Sequence, residues 1–538
     1  MIVFWLSMTY SRFPSNRQSI KFQTMDHQLR LIWSRRLGLE PEEIEDDSNF
    51  FELDGDSLRA IQIVADAAAE GIVLSVQTLY AHPTIGELSS HLSTGQKQKT
   101  LATPFLPSED PSVIIYPKSL IPVATRVAPV SPTQETFLEL HERGEYPLCT
   151  YVYEVQGEVC EVAFLQALKT LTAKHPTLRT TWAKTSTGYC QVLLSDSPVQ
   201  FSTSTMRLED HYRQVKAQVL PPGQPIVRYD LVRDDGGLTF LTIAINHAFT
   251  DVFSRSIIEQ DLIQALQRPE EVHRDTESSW VGSFVQFLGA NHSWEAEKEY
   301  WRRHMQGSSM ELLYKTLSDA KSSASIKQVV KDVPSDSSHQ VGISTVIVTA
   351  WCLALARHSG LRDFGLLNMS MSRTVPFPGI DRLVGPLFKL DMFRFRLRSA
   401  HGSIQSTLHD VQHELSAHDG CKYGMPWAPT EGLPEVQCLL NIKLGSRQTQ
   451  PLTAGDMSIL PRQDLESWDL LFQTGIYLMV GPDPEGFGCR MNYRHAHISD
   501  EQAKSLFGDF TRLLGLVGRK DACIDQLVGT EERNNGGI

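Results

Sequence analysis

Three stretches between residues 25 and 95 carry apolar side chains at helical spacing: Leu29, Ile32, Trp33 and Leu37; then Leu58, Ile61, Ala65 and Ala68; then Ile85, Leu88 and Leu92. Thr84-x-x-Glu87 precedes the last of them and has the capping-box pattern that starts a helix. The spacing predicts a small all-α bundle of three or four short helices over 25–95. Residues 96–127 hold prolines at 104, 107, 111, 117 and 122, a density no helix survives, and predict an extended linker. From 128 to 530 amphipathic stretches alternate with short apolar runs such as Leu238–Ile245 and Phe364–Met371. That pattern predicts a mixed α/β region large enough for two lobes, drawn at about 128–310 and 311–530. Met25 stands just before the first helix, so residues 1–24 are expected to be an N-terminal extension.

The longest apolar run, Val341 to Ala356, is shorter than the ~20 residues a membrane span needs and contains Gly342, Ser344, Thr345 and Thr349. It ends in Arg357-His358-Ser359-Gly360, cations followed by a glycine, which predicts a buried helix stopping there. The opening Met1–Leu6 run is too short for a signal-peptide core and lacks a basic segment before it. Eight cysteines at 149, 160, 190, 352, 421, 438, 489 and 523 form no C-x-x-C pair and no zinc-ligand spacing with histidine. They predict reduced thiols in a cytoplasmic protein without a metal site.

The 538-residue chain has a formal net charge of -13, which argues against nucleic acid as a partner. Nine acids between Leu37 and Leu58 (Glu40, Glu42, Glu43, Glu45, Asp46, Asp47, Glu52, Asp54 and Asp56) stand without a Lys or Arg among them. Such a run is either a solvated loop or a docking face for a basic partner enzyme.

Two strings carry candidate chemistry. In Phe50-Phe51-Glu52-Leu53-Asp54-Gly55-Asp56-Ser57-Leu58, a serine follows a Gly-Asp turn at the start of a helix, where a plain N-cap is the simplest role. Thr242–Ile245 is an apolar strand running into Asn246-His247-Ala248-Phe249-Thr250-Asp251. The spacing of His247 and Asp251 alone is weak evidence, because a histidine at a strand end is often only structural.

The first string, with Leu29-x-x-Ile32-Trp33 and His82-Pro83-Thr84-Ile85 around it, resembles the phosphopantetheine attachment motif of peptidyl carrier domains. The resemblance implies a four-helix carrier bundle with 4'-phosphopantetheine attached to Ser57 by a phosphopantetheinyl transferase. Downstream, Ser131-Pro132-Thr133-Gln134-Glu135, Lys174–Trp182 (KHPTLRTTW), the His247 string, Ser372-Arg373 and Val384-Gly385-Pro386-Leu387 resemble, in order, the motifs of condensation domains of nonribosomal peptide synthetases. This likeness implies two chloramphenicol-acetyltransferase-like lobes, a catalytic His247, and Asp251 paired with Arg373 to fix the catalytic loop. Asn246 stands where the family has a first histidine and Val252 where it has glycine; with Ser254 the pattern is closer to fungal terminal condensation domains, which release or cyclise peptides. Ser254 or Ser256 can equally be a helix cap, since Ser256-x-x-Glu259 is another capping-box pattern.

The implied activity is transfer of a carrier-tethered acyl or peptidyl group to an amine or hydroxyl. The chain shows no adenylation domain and no second carrier after the condensation region. An adenylation enzyme or upstream synthetase module is therefore expected to act in trans, and the acceptor is a free or intramolecular nucleophile or a downstream carrier on another chain. The competing readings are a catalytically inert docking module and a coenzyme A-dependent acyltransferase of the same fold.

Overall fold

The computed structural model describes residues 25–53, 55, 57–72, 74–94, 124–145, 148–185, 188–271, 279–291, 293–309, 322–331, 333, 341–375, 377–398, 403–417, 438–443, 451–462, 475–519 and 524. The expected extension 1–24, nearly all of the linker, Asp54, Asp56 and the tail from 525 lie outside the described residues.

The helical unit consists of α1 (Met25–Leu37), α2 (Ser57–Ala69), α3 (Val76–Ala81) and α4 (Ile85–Thr94). Leu29, Ile32, Trp33, Phe50, Ile63, Val64, Leu79 and Ile85 form its core, with the Trp33 and Phe50 rings edge to face at 5.5 Å. The Thr84 hydroxyl accepts from the Glu87 N–H (3.3 Å) at the start of α4, as the capping pattern predicts. One predicted stripe differs. Ala65 does not join the bundle core but is buried with Phe284, Phe287 and Phe377 of the larger unit. Ile61 of that stripe does join the bundle core, together with Ala60, Ile63, Val64 and Ala67. A helix with small or apolar residues on two faces does not reveal from sequence which of them meets its own bundle.

The larger unit begins with β1 (Ala124–Pro129), whose first four residues fall in the stretch expected to be linker. After it come α5 (Pro132–Glu142), β2 (Cys149–Gln156), α6 (Glu161–Lys174), β3 (Thr180–Thr185), β4 (Gly188–Leu194), β5 (Gln200–Thr205), α7 (Leu208–Lys216), β6 (Val227–Arg233) and β7 (Thr239–Ile245). Then follow α8 (Val252–Gln267), α9 (Val281–Asn291) and α10 (Trp294–His304). Strands β1, β4 and β3 make a small sheet that Ala128 and Leu193 pack onto Trp280 and Val281. Strand β1 escapes a proline-based reading because its backbone pairs with β4 ahead of the terminal Pro129.

The rest comprises β8 (Ser323–Val330), α11 (Ile343–Ser359), β9 (Asp363–Met371), β10 (Phe388–Arg396), α12 (Ile404–Ala417), β11 (Cys438–Ile442), β12 (Leu452–Ala454), β13 (Met457–Pro461), β14 (Ile476–Asp483), β15 (Gly486–Arg494) and α13 (Asp500–Leu514). A mixed sheet of order β10-β9-β11-β14-β15-β8 is covered on one face by α11, α12 and α13. Helix α10 covers part of the other face, where Trp301 and Met305 meet Leu390, Met392 and Leu439. Thr345–Ala356 of α11 are all buried and the helix ends at Gly360, as its sequence predicts.

The two lobes are not consecutive in the chain. Strands β12 and β13 leave the second lobe and extend the first lobe's sheet to β12-β13-β2-β7-β6-β5, with Ile459 opposite Val155. A division at 310 therefore fails for residues 452–461, whose short alternating pattern fits the edge of either sheet.

A buried charge cluster ties the first lobe to the second. Asp261 on α8 meets Lys174 (2.9 Å), His175 (2.8 Å) and Arg382 (2.8 Å). Burial alone would raise the Asp261 carboxyl, but the hydrogen bond from His175 and the charges of Lys174 and Arg382 outweigh it and hold the carboxyl near 2. A depressed carboxyl stabilises the fold above its unfolded value and loses that contribution as pH falls through the folded one. Between pH 4 and pH 2 the cluster should therefore lose about 2 kcal/mol. The difference in melting temperature between wild type and Asp261→Asn should be largest above pH 4 and close toward pH 2; a difference independent of pH in that window would remove this account.

Candidate active site

The strand β7 sends Leu241, Ile243 and Ile245 into the core shared with α6 and α8. Pairing ends where the Asn246 N–H bonds to Ile226 O (2.9 Å), and the chain turns into a 3-10 turn over His247–Phe249. The Asn246 side chain caps that turn by accepting from the Ala248 N–H (3.0 Å), a task asparagine does well and which gives this residue a local role.

His247 sits at the junction of the lobes. Its ring stacks on Phe137 of α5 (4.6 Å between centroids) and tilts against Phe388 of β10 (5.7 Å). Nδ1 lies 3.1 Å from the carbonyl oxygen of Thr250, an acceptor, so the proton is on Nδ1 and the Nε2 lone pair is presented elsewhere. Burial lowers the imidazole pKa to about 4, against upward pulls from the carbonyls of Thr250 and His247 and from Asp251, while Lys443 adds to the lowering. At neutral pH the ring is uncharged.

Asp251 caps α8 and is 4% exposed; Arg373 is wholly buried. Both Asp251 oxygens accept from Arg373 Nη2 at 3.1 Å, and the carboxylate also receives the N–H of Ser254 (2.6 Å), the Ser254 hydroxyl (2.7 Å) and the N–H of Leu387 (3.1 Å). Arg373 in turn donates to the carbonyls of Ile380 (2.7 Å) and Leu383 (2.9 Å). The helix cap is thus Asp251, and neither Ser254 nor Ser256 fills that place. Ser254 instead accepts from the Gly385 N–H (2.9 Å), and Glu259 takes the Tyr153 hydroxyl (2.8 Å) instead of completing a capping box.

The loop 384–387 from the second lobe is fastened to the first by polar contacts. Thr177 donates to Val384 O (2.6 Å), Gly385 N–H reaches Ser254, and Leu387 N–H reaches Asp251. Gly385 is required by space, since a Cβ there would lie 2.6 Å from a methyl of Val281. The start of α5 contributes the other support. Ser131 and Gln134 form a capping box, and Gln134 Nε2 donates to Ala248 O (3.0 Å) next to His247. In the sequence Ser131–Glu135 stands out only as a matching string, and neither the capping box nor this contact is read from it. Phe137 and Phe388 were missed altogether, because an aromatic packed on this imidazole looks like any core aromatic in sequence.

A cavity of about 20 Å³, room for roughly one water, lies between Gln134, Phe284, Leu288, Ser372 and Phe388. Its far wall shares Phe284 with the cluster that buries Ala65, and its near wall is the ring that tilts against His247.

In the helical unit Ser57 is the first residue of α2; its side chain lies outside the described atoms. Gly55 N–H bonds to Phe50 O (2.9 Å), and an added Cβ at Gly55 would fall 2.6 Å from the Phe50 ring. The turn is pressed onto the bundle in a way only glycine permits. Within the first turn of α2, from Ser57 to Ala60, no residue is acidic, and the positive end of the helix dipole favours a phosphate there. The residues present thus fit a phosphodiester at this position. Glu40, Glu42, Glu43, Glu45, Asp47 and Glu52 are exposed, as is Asp46, which pairs with Arg30.

Among the described residues no group of three or more His, Cys, Asp or Glu could hold a metal ion. No helix among them is long and apolar enough to cross a membrane.

Comparison with known proteins agrees with this architecture. The phosphopantetheine attachment site family matches residues 27–92 and the condensation domain family residues 124–426. Nonribosomal peptide synthetase 8 of Gibberella moniliformis is 29% identical over 547 residues, covering 92% of this chain and 98% of the relative. Nonribosomal peptide synthetase ALT12 of Alternaria alternata is 28% identical, covering 94% of this chain and 100% of the relative. Among solved structures, holo T3CT superposes with a TM-score of 0.60 at 16% identity, covering 74% of this chain and 93% of that one. The condensation domain of the Monacolin K polyketide synthase MokA gives 0.60 at 14% identity, covering 74% and 98%. A carrier domain of this kind is the site of covalent 4'-phosphopantetheine attachment and works with a phosphopantetheinyl transferase and synthetase modules. The chain belongs to the condensation domain family of nonribosomal peptide synthetases, amide-forming acyltransferases, and bears a phosphopantetheine carrier domain ahead of that domain.

Proposed function

We propose that Ser57 is the attachment residue, that His247 is the catalytic residue, and that the chain transfers the tethered acyl or peptidyl group to a free or intramolecular amine or hydroxyl, releasing the product. The prosthetic arm supplies a thiol that holds the acyl group as a reactive thioester. The observation that carries the reading is the burial of Ala65: the helix that starts at Ser57 is packed against Phe284 and Phe377, and Phe284 shares a small cavity with Phe388, the ring that tilts against His247. That cavity has room for about one water, so a pantetheine arm entering here requires lining side chains such as Phe284 and Leu288 to move aside.

The neutral imidazole suits the transfer. With its proton held on Nδ1, Nε2 accepts a hydrogen bond from the attacking amine or hydroxyl and takes its proton as the new bond forms and the nucleophile becomes acidic. A base with a pKa of about 4 does not deprotonate an alcohol beforehand; it acts by position and by timing. Asp251 and Arg373 hold the loop and do not reach the reacting atoms. The absence of a first histidine at 246, Val252 in place of glycine, and Ser254 three positions beyond Asp251 support the terminal, product-releasing reading, since they bring the string closer to that of fungal terminal condensation domains. Loading is assigned to an adenylation enzyme or upstream module in trans, and the setting to the cytoplasm, where coenzyme A is available.

The test has two stages. Incubation with a phosphopantetheinyl transferase and coenzyme A should add one arm to wild type, read by intact mass, and none to Ser57→Ala; equal gain by both would remove Ser57. Loading with acyl-coenzyme A instead, then adding a panel of amines and alcohols, should discharge the acyl group in wild type. Failure to discharge to any nucleophile would favour an inert docking module, and turnover of free acyl-coenzyme A by Ser57→Ala would favour a coenzyme A-dependent enzyme.

A further inference from the structure

The contact that sets the His247 tautomer is itself held from below. Thr250 is wholly buried, and while its carbonyl faces His247 Nδ1 at 3.1 Å, its hydroxyl faces the phenol of Tyr151 on β2 at 3.4 Å. That separation is long for a hydroxyl pair, and a few tenths of an ångström of closure make it a full bond. Tyr151 is in turn wedged. The Arg255 guanidinium lies over its ring (4.9 Å) and over that of Tyr153 (5.5 Å), and Arg255 is fixed by Glu259 (2.7 Å), which also accepts the Tyr153 hydroxyl (2.8 Å). Glu259 is 3% exposed, so its carboxylate is shielded from water and kept to these two partners. Burial pushes the Tyr151 phenol well above its ordinary value, so it remains a neutral hydroxyl, able to donate and to accept.

We infer that Tyr151 is a positioning residue for His247. Its hydroxyl fixes the Thr250 residue so that the Thr250 carbonyl keeps the imidazole proton on Nδ1 and leaves Nε2 as the acceptor. The inference rests on the proposed role of His247 and extends it to a residue with no place in the motif. Neither Tyr151 nor Arg255 touches the reacting atoms. The platform acts through one backbone carbonyl.

The experiment reads the ring directly. Protein labelled with ¹⁵N at histidine, with the His247 signals assigned by comparison with His247→Gln, reports which ring nitrogen carries the proton at neutral pH. Wild type should show the Nδ1–H form. Tyr151→Phe and Thr250→Val, both close in shape to what they replace, should each reduce that preference roughly fivefold to tenfold, the effect of losing one hydrogen bond. The double variant should be no worse than either single one, since both remove the same contact. A His247 tautomer unchanged in Tyr151→Phe, or single-variant effects that add in the double, would overturn the inference. Its failure is separable from failure of the catalytic assignment: acyl discharge surviving His247→Gln sinks the latter whatever the tautomer does.

Discussion

Replacing His247 by alanine should slow acyl discharge from the loaded carrier by about 10²–10⁴-fold, the usual contribution of a positioned acid–base group, while leaving attachment of the arm untouched. The ring's contacts explain why the effect is confined to chemistry. Its stacking on Phe137 and tilt on Phe388 are modest aromatic contacts, and its hydrogen bond is to a carbonyl of the same short turn. Removing them should leave a folded protein, checked by an unchanged mass shift on loading and a melting temperature within a few degrees of wild type. The pH profile gives a second reading. Because burial lowers the imidazole pKa to about 4, the nitrogen is deprotonated above that value, so the acid limb of the discharge rate should fall near pH 4 and not near the ordinary histidine value. A limb near 6.5 would mean that the ring is solvated in the working state. Discharge at the wild-type rate in the alanine variant would remove His247 from the reaction.

Much of this arrangement is legible in the sequence because the motif residues sit where local rules apply. Ser57 begins a helix, Ser131 and Gln134 cap one, and the apolar strand before Asn246 delivers His247 to a lobe junction. The pairing of Asp251 with Arg373 follows from the resemblance, and the geometry has it at 3.1 Å. What the sequence does not disclose is long-range and carried by ordinary residues. The Gln134 contact to Ala248 spans 114 positions, and the Thr177 contact to Val384 spans 207. No local pattern links such pairs. The strands β12 and β13 are hidden for a related reason: a three-residue and a five-residue strand can edge either sheet, and only the register with β2 decides. Ser254 shows the opposite failure, since a hydroxyl near a helix start reads as a cap until the neighbouring aspartate takes that role.

Arg373→Ala should cost about 3–5 kcal/mol of stability, the penalty for leaving the other half of a buried ion pair without its partner. The carboxylate of Asp251 would keep the two N–H groups and the hydroxyl that now donate to it, which limits that part of the loss. The guanidinium also satisfies the carbonyls of Ile380 and Leu383, so its removal uncovers two further buried acceptors in the segment that leads into the 384–387 loop. Loosening that loop reaches the site twice, through Gly385 on Ser254 and through Leu387 on Asp251, the residue that caps the helix following the His247 turn. Activity should therefore fall together with the melting temperature, unlike His247→Ala, where activity falls alone. Arg373→Lys discriminates further. A lysine ammonium is a point charge and cannot reach both the carboxylate and two carbonyls in the plane of a guanidinium, so it should recover part of the stability and little of the rate. Restoring both with lysine would show that charge alone holds the loop, and an Arg373→Ala protein as stable as wild type would show that the lobes are joined by something other than this pair.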